Sequence, residues 1–188
     1  MRRTLALLQL LAVLGLPGCG EPAALPPASA VSAASAAPVM DADSILAGTL
    51  RVLAIGQREG ELLHVQQLEV YRTGRHEPVQ VIRGLQTDTP WPPGRPGLEA
   101  PDMNFDGHPD LRLIEFRAAG PNTPWRHWLY DPAQQRFVAS EALDALSPTR
   151  FDAASRRIIV DWRDGAARHG SDTYVWRDGA LRPAPAAP

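Results

Sequence analysis

The sequence has a single cysteine, no lysine, and no apolar run long enough to cross a membrane as a helix. With one thiol, no disulfide can form within the chain. All nineteen basic residues are arginines, they form no basic stripe, and the formal net charge is −2, so nucleic-acid binding is not expected. The apolar stretch at residues 5–16 is shorter than the roughly 20 residues that a spanning helix needs.

Sequence motifs typical of hydrolases are also missing. The chain contains neither G-x-S-x-G nor H-E-x-x-H, the signatures of a serine nucleophile and of a zinc protease. Of the five histidines, His64 and His76 lie in or beside strand-like runs, and His127 stands between two tryptophans. Because these surroundings favour packing or surface roles, we expect that the protein is not an enzyme.

The first nineteen residues are typical of a secretory signal peptide, with two arginines ahead of a short apolar core. They end in L-P-G-C at Cys19, which resembles the lipobox of bacterial lipoproteins. That resemblance implies that Cys19 becomes the lipid-carrying mature N-terminus. Gly20, rather than Asp, follows it and favours the outer membrane. We expect a periplasmic protein attached to the membrane by lipid; the alternative is ordinary cleavage beside an incidental cysteine.

The rest of the chain divides by composition. Residues 20–40 are nearly all Ala, Pro, Ser and Val, which cannot bury enough apolar surface to fold, so we interpret them as a disordered tether. Residues 41–188 have the length of one ordinary domain.

The most informative stretch is D-M-N-F-D-G-H-P-D at residues 102–110. Oxygen-bearing side chains stand at its first, third and fifth positions, glycine at the sixth, and a carboxylate at the ninth. Such a loop can direct alternate oxygens at Ca²⁺, which takes about six to eight oxygen ligands. The expected ligands are Asp102, Asn104, Asp106, the carbonyl of His108, and Asp110.

This loop does not continue into a helix–loop–helix calcium hand. Leu113 occupies the twelfth position, where that motif needs a bidentate glutamate, and the flanking residues alternate like strands. The loop resembles the D-x-N-x-D-G-x-x-D loops of integrin-type and related β-propeller repeats, where calcium staples a hairpin. The alternative is a polar turn rich in Asp, Asn and Gly that holds no ion.

Strand-like runs separated by turn residues predict an all-β domain. The predicted strands are residues 49–55, 62–71, 78–82, 110–117, 126–130, 136–139, 157–162 and 173–176, with one short helix at 140–146. Two internal echoes, 130–138 with 151–159 and 162–166 with 176–180, favour repeated antiparallel hairpins. We therefore expect a small propeller-like or sandwich domain stapled by calcium, with irregular loops at 86–97, 119–125 and 166–172.

Two further segments carry a family resemblance. These are W-L-Y-D-P at 128–132 and D-T-Y-V-W-R-D-G at 172–179. Together with the lipobox, the tether and the acidic loop, they resemble periplasmic calcium-binding lipoproteins that act as immunity proteins for bacterium-killing type IV secretion systems. The fold of that group is similar to that of inhibitors of invertebrate-type lysozymes.

The resemblance implies that the protein binds a lysozyme-like glycohydrolase and blocks its active cleft with a loop. The lysozyme inhibitors use a short Ser/Gly-to-Tyr loop, and residues 170–174 are roughly similar, with Gly and Ser in the opposite order. Ser171 and Tyr174 are therefore candidate partner-binding residues, and Trp91, on the longest irregular stretch, is a third. The alternative is a calcium-stabilised envelope module, for binding or structure, without an inhibitory role.

Overall fold

The computed structural model describes residues 40–90, 97–116 and 123–185, and these fold into twelve β-strands and one short α-helix. Trp91, Asn122 and the leader with Cys19 lie outside the described residues. Within the described residues, no helix is long and apolar enough to span a membrane. Every strand pairing is antiparallel.

Three four-stranded sheets follow one another along the chain. The first sheet contains β1 (Met40–Ala47), β2 (Leu50–Glu59), β3 (Leu62–Arg72) and β4 (Gln80–Pro90). The second contains β5 (Leu98–Glu99), β6 (Leu111–Ile114), β7 (Trp125–Asp131) and β8 (Arg136–Ala139). The helix α1 (Glu141–Leu146) leads to the third, with β9 (Arg150–Asp152), β10 (Arg157–Asp164), β11 (Arg168–Arg177) and β12 (Ala180–Pro183).

The second sheet contributes apolar side chains to two separate core clusters. Leu111 and Trp128 pack with Val52 and Leu68 of the first sheet. Leu129, the neighbour of Trp128 on β7, instead packs in a cluster with residues of the third sheet. Because successive side chains of a strand point to opposite faces, both faces of the middle sheet are covered. The prediction of an all-β sandwich built from antiparallel hairpins is confirmed.

The first sequence echo, residues 130–138 with 151–159, corresponds to a structural repeat. Asp131, in the β7–β8 turn, accepts hydrogen bonds from the backbone N–H of Ala133 and Gln134. Asp152, in the β9–β10 turn, accepts the equivalent pair from Ala154 and Ser155. Each turn then passes through a positive φ of 51°, at Gln135 and at Arg156.

Two of the predicted irregular loops are partly strand. Residues 86–90 complete β4, where Thr87 and Thr89 are buried. Residues 168–172 begin β11 and pair with β10, with Ser171 opposite Asp161. Both strand ends were predicted as loops because turn-forming residues lie close to them in the sequence.

Candidate functional site

The acidic loop connects β5 to β6, so it joins two extended segments as its flanks predicted. Its odd-numbered side chains Met103 and Phe105 point inward and belong to the second core cluster. The carbonyl oxygen of Met103 accepts a hydrogen bond from Trp176 Nε1 at 3.0 Å. The apolar residues between the oxygen donors therefore fasten the loop to the third sheet.

The oxygen side chains of the loop turn toward its own backbone. The N–H of Asp106 donates to Asp102 Oδ1 and to Asn104 Oδ1, both at 3.1 Å. Gly107 N–H donates to Asp102 Oδ2 at 2.9 Å, and His108 N–H donates to Asp106 Oδ1 at 2.8 Å. The sharp path needs a positive φ at Phe105 and at Gly107, of 61° and 91°.

Asp110 closes the loop from a fully buried position. Its Oδ2 accepts the N–H of Met103 and its Oδ1 accepts the N–H of Tyr130, each at 2.7 Å. Burial raises the pKa of this carboxyl to about 6, against the lowering effect of the two N–H donors. One carboxylate thus ties the loop to β7, a structural role that sequence reasoning missed.

These residues match calcium in the type of atom they offer. All are oxygen donors, the ligands that hard cations prefer. Their side-chain oxygens, however, lie on backbone amides. In the described stretches of chain, no group of three or more His, Cys, Asp or Glu side chains is placed to hold a metal ion. Calcium ligation by the loop stays a prediction.

His108 contributes a ring as well as a backbone carbonyl. Its Nδ1 lies 3.2 Å from Asp106 Oδ1, and its ring centroid lies 5.6 Å from that of Tyr130. Tyr130 in turn meets Phe137 edge-on at 5.2 Å. This aromatic row links the loop to the first core cluster, to which Phe137 belongs.

Ser171 and Tyr174, the two candidate partner-binding residues within the described chain, lie on opposite faces of β11. Ser171 is exposed, and its hydroxyl donates to Asp161 Oδ1 on β10. Tyr174 is half-buried and packs against the second core cluster, as does Trp176. The structure therefore presents Ser171 to solvent and gives Tyr174 a packing role.

The hairpin formed by β10 and β11 provides the most exposed surface near Ser171. Every residue from 162 to 169 is exposed, and the hairpin turns at Gly165 with a φ of 71°. An open depression of about 490 Å³ lies beside it. Its lining includes Asp161, Trp162, Arg163, His169, Gly170 and Ser171.

Asp161 anchors this hairpin to the start of the third sheet. Its Oδ2 accepts the Thr149 hydroxyl at 2.8 Å and lies 3.5 Å from Arg150 Nε. The hydrogen bond from Ser171, followed by that from Thr149, lowers the pKa of the Asp161 carboxyl. Asp161 therefore remains an ionised acceptor that orients the Ser171 hydroxyl.

His127 has the packing role that its tryptophan neighbours predicted. The ring is fully buried, with Nδ1 2.9 Å from Asp144 Oδ1. Its Nε2 has no hydrogen-bond partner among the described residues. Burial lowers the pKa of His127, against the raising effect of Asp144.

The described chain is an all-β sandwich with an acidic connecting loop between β5 and β6 and an exposed hairpin at β10–β11. No family model matches the sequence, and no curated protein matches it. A solved structure titled "Structure of a Xanthomonas Type IV Secretion System related protein" shares the fold with a TM-score of 0.58. The two are 17% identical, over 77% of this chain and 78% of that chain. This likeness shows a common fold.

Proposed function

We propose that this protein is a lipid-anchored periplasmic inhibitor, or immunity protein, of a lysozyme-like peptidoglycan hydrolase. The observation that carries the proposal is the exposed β10–β11 hairpin bearing Ser171. The fold shared with a type IV secretion related protein supports it. The lipobox-like leader of the sequence supports the location.

A projecting hairpin is suited to a groove. Glycoside hydrolases cleave within a cleft that carries a pair of carboxyl groups. The Ser171 hydroxyl donates its proton to Asp161 on the neighbouring strand, so its oxygen is left to accept a hydrogen bond from the protonated carboxyl group of such a pair. Since β10 and β11 are paired from residue 158 to 174, little conformational entropy remains to be lost when the hairpin docks.

Charge complementarity favours the same partner. Residues 150–185 contain seven arginines and five aspartates, whereas the whole chain has a net charge of −2. The third sheet is therefore the positive part of a weakly acidic protein. A positive surface approaching a carboxylate-lined cleft speeds association and fixes orientation.

The test is a peptidoglycan turbidity assay with a panel of lysozymes and with any lysozyme-like enzyme found to be encoded beside this gene. Equimolar full-chain protein is expected to abolish lysis by at least one of them. Ser171→Ala is expected to weaken inhibition by about tenfold, the loss of one hydrogen bond accepted by the Ser171 oxygen. Ser155→Ala is the matched control, because Ser155 also donates to an aspartate, Asp152, in an exposed turn of the third sheet.

Two results would contradict the proposal. If every hydrolase lyses its substrate unchanged, the protein is an envelope module with another role. If Ser155→Ala weakens inhibition as much as Ser171→Ala, the hairpin is not the inhibitory element.

A further inference from the structure

We infer that Trp162 is the residue that anchors this protein in the sugar-binding groove of its partner, and that Gly170 positions the indole for that contact. The inference rests on the proposed function and names the surface that function would use. Sequence reasoning treated residues 162–166 as architecture alone.

The geometry places the indole directly over Gly170. The two residues are opposite each other in the β10–β11 register. A Cβ built on Gly170 would lie 2.6 Å from Trp162 Cζ2, closer than real Cβ atoms come to other atoms, and 3.0 Å from Cε2, which is a tight contact. Only glycine therefore lets the ring rest on β11. With this support, 37% of the Trp162 surface remains exposed.

The internal echo of the sequence provides a comparison within the same sheet. Trp176 occupies the position of Trp162 in the second copy of W-R-D-G. Trp176 packs in the second core cluster, opposite Leu181, and its N–H donates to the Met103 carbonyl. Trp162 belongs to neither core cluster. Of two equivalent tryptophans, one stabilises the fold and the other faces solvent.

The hairpin that carries Trp162 is suited to a groove of opposite charge. The ring borders the open depression, whose lining also includes Arg163, His169 and Ser171 from the other face of the hairpin. Buried tryptophan and arginine residues dominate binding energy at protein interfaces. A flat indole offers a large rigid contact area with a polar edge, and grooves that bind sugars accept flat rings between polar groups.

The experiment measures the Kd of full-chain variants for the inhibited hydrolase by titration calorimetry, together with the melting temperature of each variant. Trp162→Ala is expected to weaken binding at least tenfold. Gly170→Ala is expected to weaken it severalfold, because the new Cβ displaces the indole, while Trp162→Phe retains part of the affinity. Phe116→Ala, which removes another exposed aromatic from outside the third sheet, is expected to leave the Kd unchanged.

The outcomes separate this inference from the proposed function. If the wild-type chain binds no hydrolase, both the proposed function and the anchoring role of Trp162 are wrong. If the wild-type protein inhibits a hydrolase but Trp162→Phe and Gly170→Ala bind it as tightly as the wild type does, only the anchoring role of Trp162 is wrong. This conclusion holds even where Trp162→Ala fails to fold. If soluble peptidoglycan fragments bind the isolated protein through Trp162, the partner is a glycan, and the hydrolase contact is overturned.

Discussion

Asp110 shows how one buried carboxylate holds a loop closed. Its two oxygens accept hydrogen bonds from the backbone N–H groups of Met103 and Tyr130. Each polar atom of this buried side chain therefore has a hydrogen-bond partner. An amide at this position would place its NH₂ against a backbone N–H. A buried donor left without an acceptor costs about 1–3 kcal/mol.

We therefore expect Asp110→Asn to lower the free energy of unfolding by about 2 kcal/mol. Urea denaturation at constant calcium concentration measures this change. Asp172→Asn, which alters an exposed aspartate of β11, is the control. Equal stability of the Asp110 variant and the wild type would show that the two backbone bonds contribute nothing.

His127 makes the free energy of unfolding depend on pH. Its neutral form donates from Nδ1 to Asp144, and protonation would add a buried N–H at Nε2 without an acceptor. The folded-state pKa is lowered by burial, whereas the unfolded chain has the ordinary value of 6.5. Below pH 6.5 the unfolded state therefore binds more protons at residue 127 than the folded state, and the contribution of His127 to stability falls as the pH falls. Asp110, whose folded-state pKa is raised to about 6, contributes in the opposite direction.

We expect stability to fall less, or to rise more, in His127→Gln than in the wild type as the pH is lowered from about 6.5 to 5, because the substitution removes the His127 contribution and leaves that of Asp110. The measurement is the midpoint of urea unfolding across this pH range. His169→Gln, which removes an exposed histidine, is expected to retain the wild-type slope. If the urea midpoint of the His127 variant changes with pH as it does in the wild type, groups other than His127 cause the pH dependence of stability.

At the scale of elements, the sequence pattern predicted the strands and turns that depend on neighbouring residues alone. The prediction of residues 136–139 as a strand matches β8, and the Asp-Gly turns close the β10–β11 and β11–β12 hairpins. The strands that patterning missed are β1, β5, β9 and β12, which are edge strands of their sheets. Three of these are only two to four residues long, too short for alternation to be recognised.

The candidate site was less predictable, because its parts meet only through tertiary packing. The spacing from Asp102 to Asp110 identified the loop, but Met103 and Phe105 were not recognised as its anchors. Nothing local distinguishes Trp162 from Trp176. The difference depends on the residues opposite them, Gly170 and Leu181, and register across a sheet is not visible in a single motif.

The acidic loop supports a prediction about calcium. Asp102, Asn104 and Asp106 offer oxygens on one loop whose apolar side chains are already packed. A ligand that binds only the folded state stabilises it by about 2.7 kcal/mol at a hundred times its Kd. We expect calcium to raise the melting temperature, chelator to reverse the rise, and Asp106→Ala to abolish the response.

Asp152→Ala is the matched control for this experiment, because Asp152 also accepts backbone N–H groups in an exposed turn. This variant is expected to keep the full response to calcium. If calorimetry detects no calcium uptake by the wild-type protein, the loop is a polar turn held by its own hydrogen bonds and by Asp110.

At the scale of the whole molecule, three roles are expected in order along the chain. The leader is expected to direct export and residues 20–40 to separate the anchor from the domain, while the sandwich presents its positive third sheet with the exposed hairpin. An inhibitor that protects the cell wall needs to meet the hydrolase in the periplasm. Anchoring at Cys19 would hold it at the membrane surface, because more than one acyl chain on a protein gives stable membrane attachment.

We expect wild-type protein to fractionate with the outer membrane and Cys19→Ala to leave it, as unprocessed precursor or as free periplasmic protein. Immunoblots of separated membranes measure this, with Gly20→Asp as the matched variant. The lipobox resemblance implies that Gly20→Asp stays lipidated but moves to the inner membrane. If mature Cys19→Ala protein stays membrane-bound, the anchor is not the cysteine; if Gly20→Asp stays in the outer membrane, residue 20 does not direct sorting here.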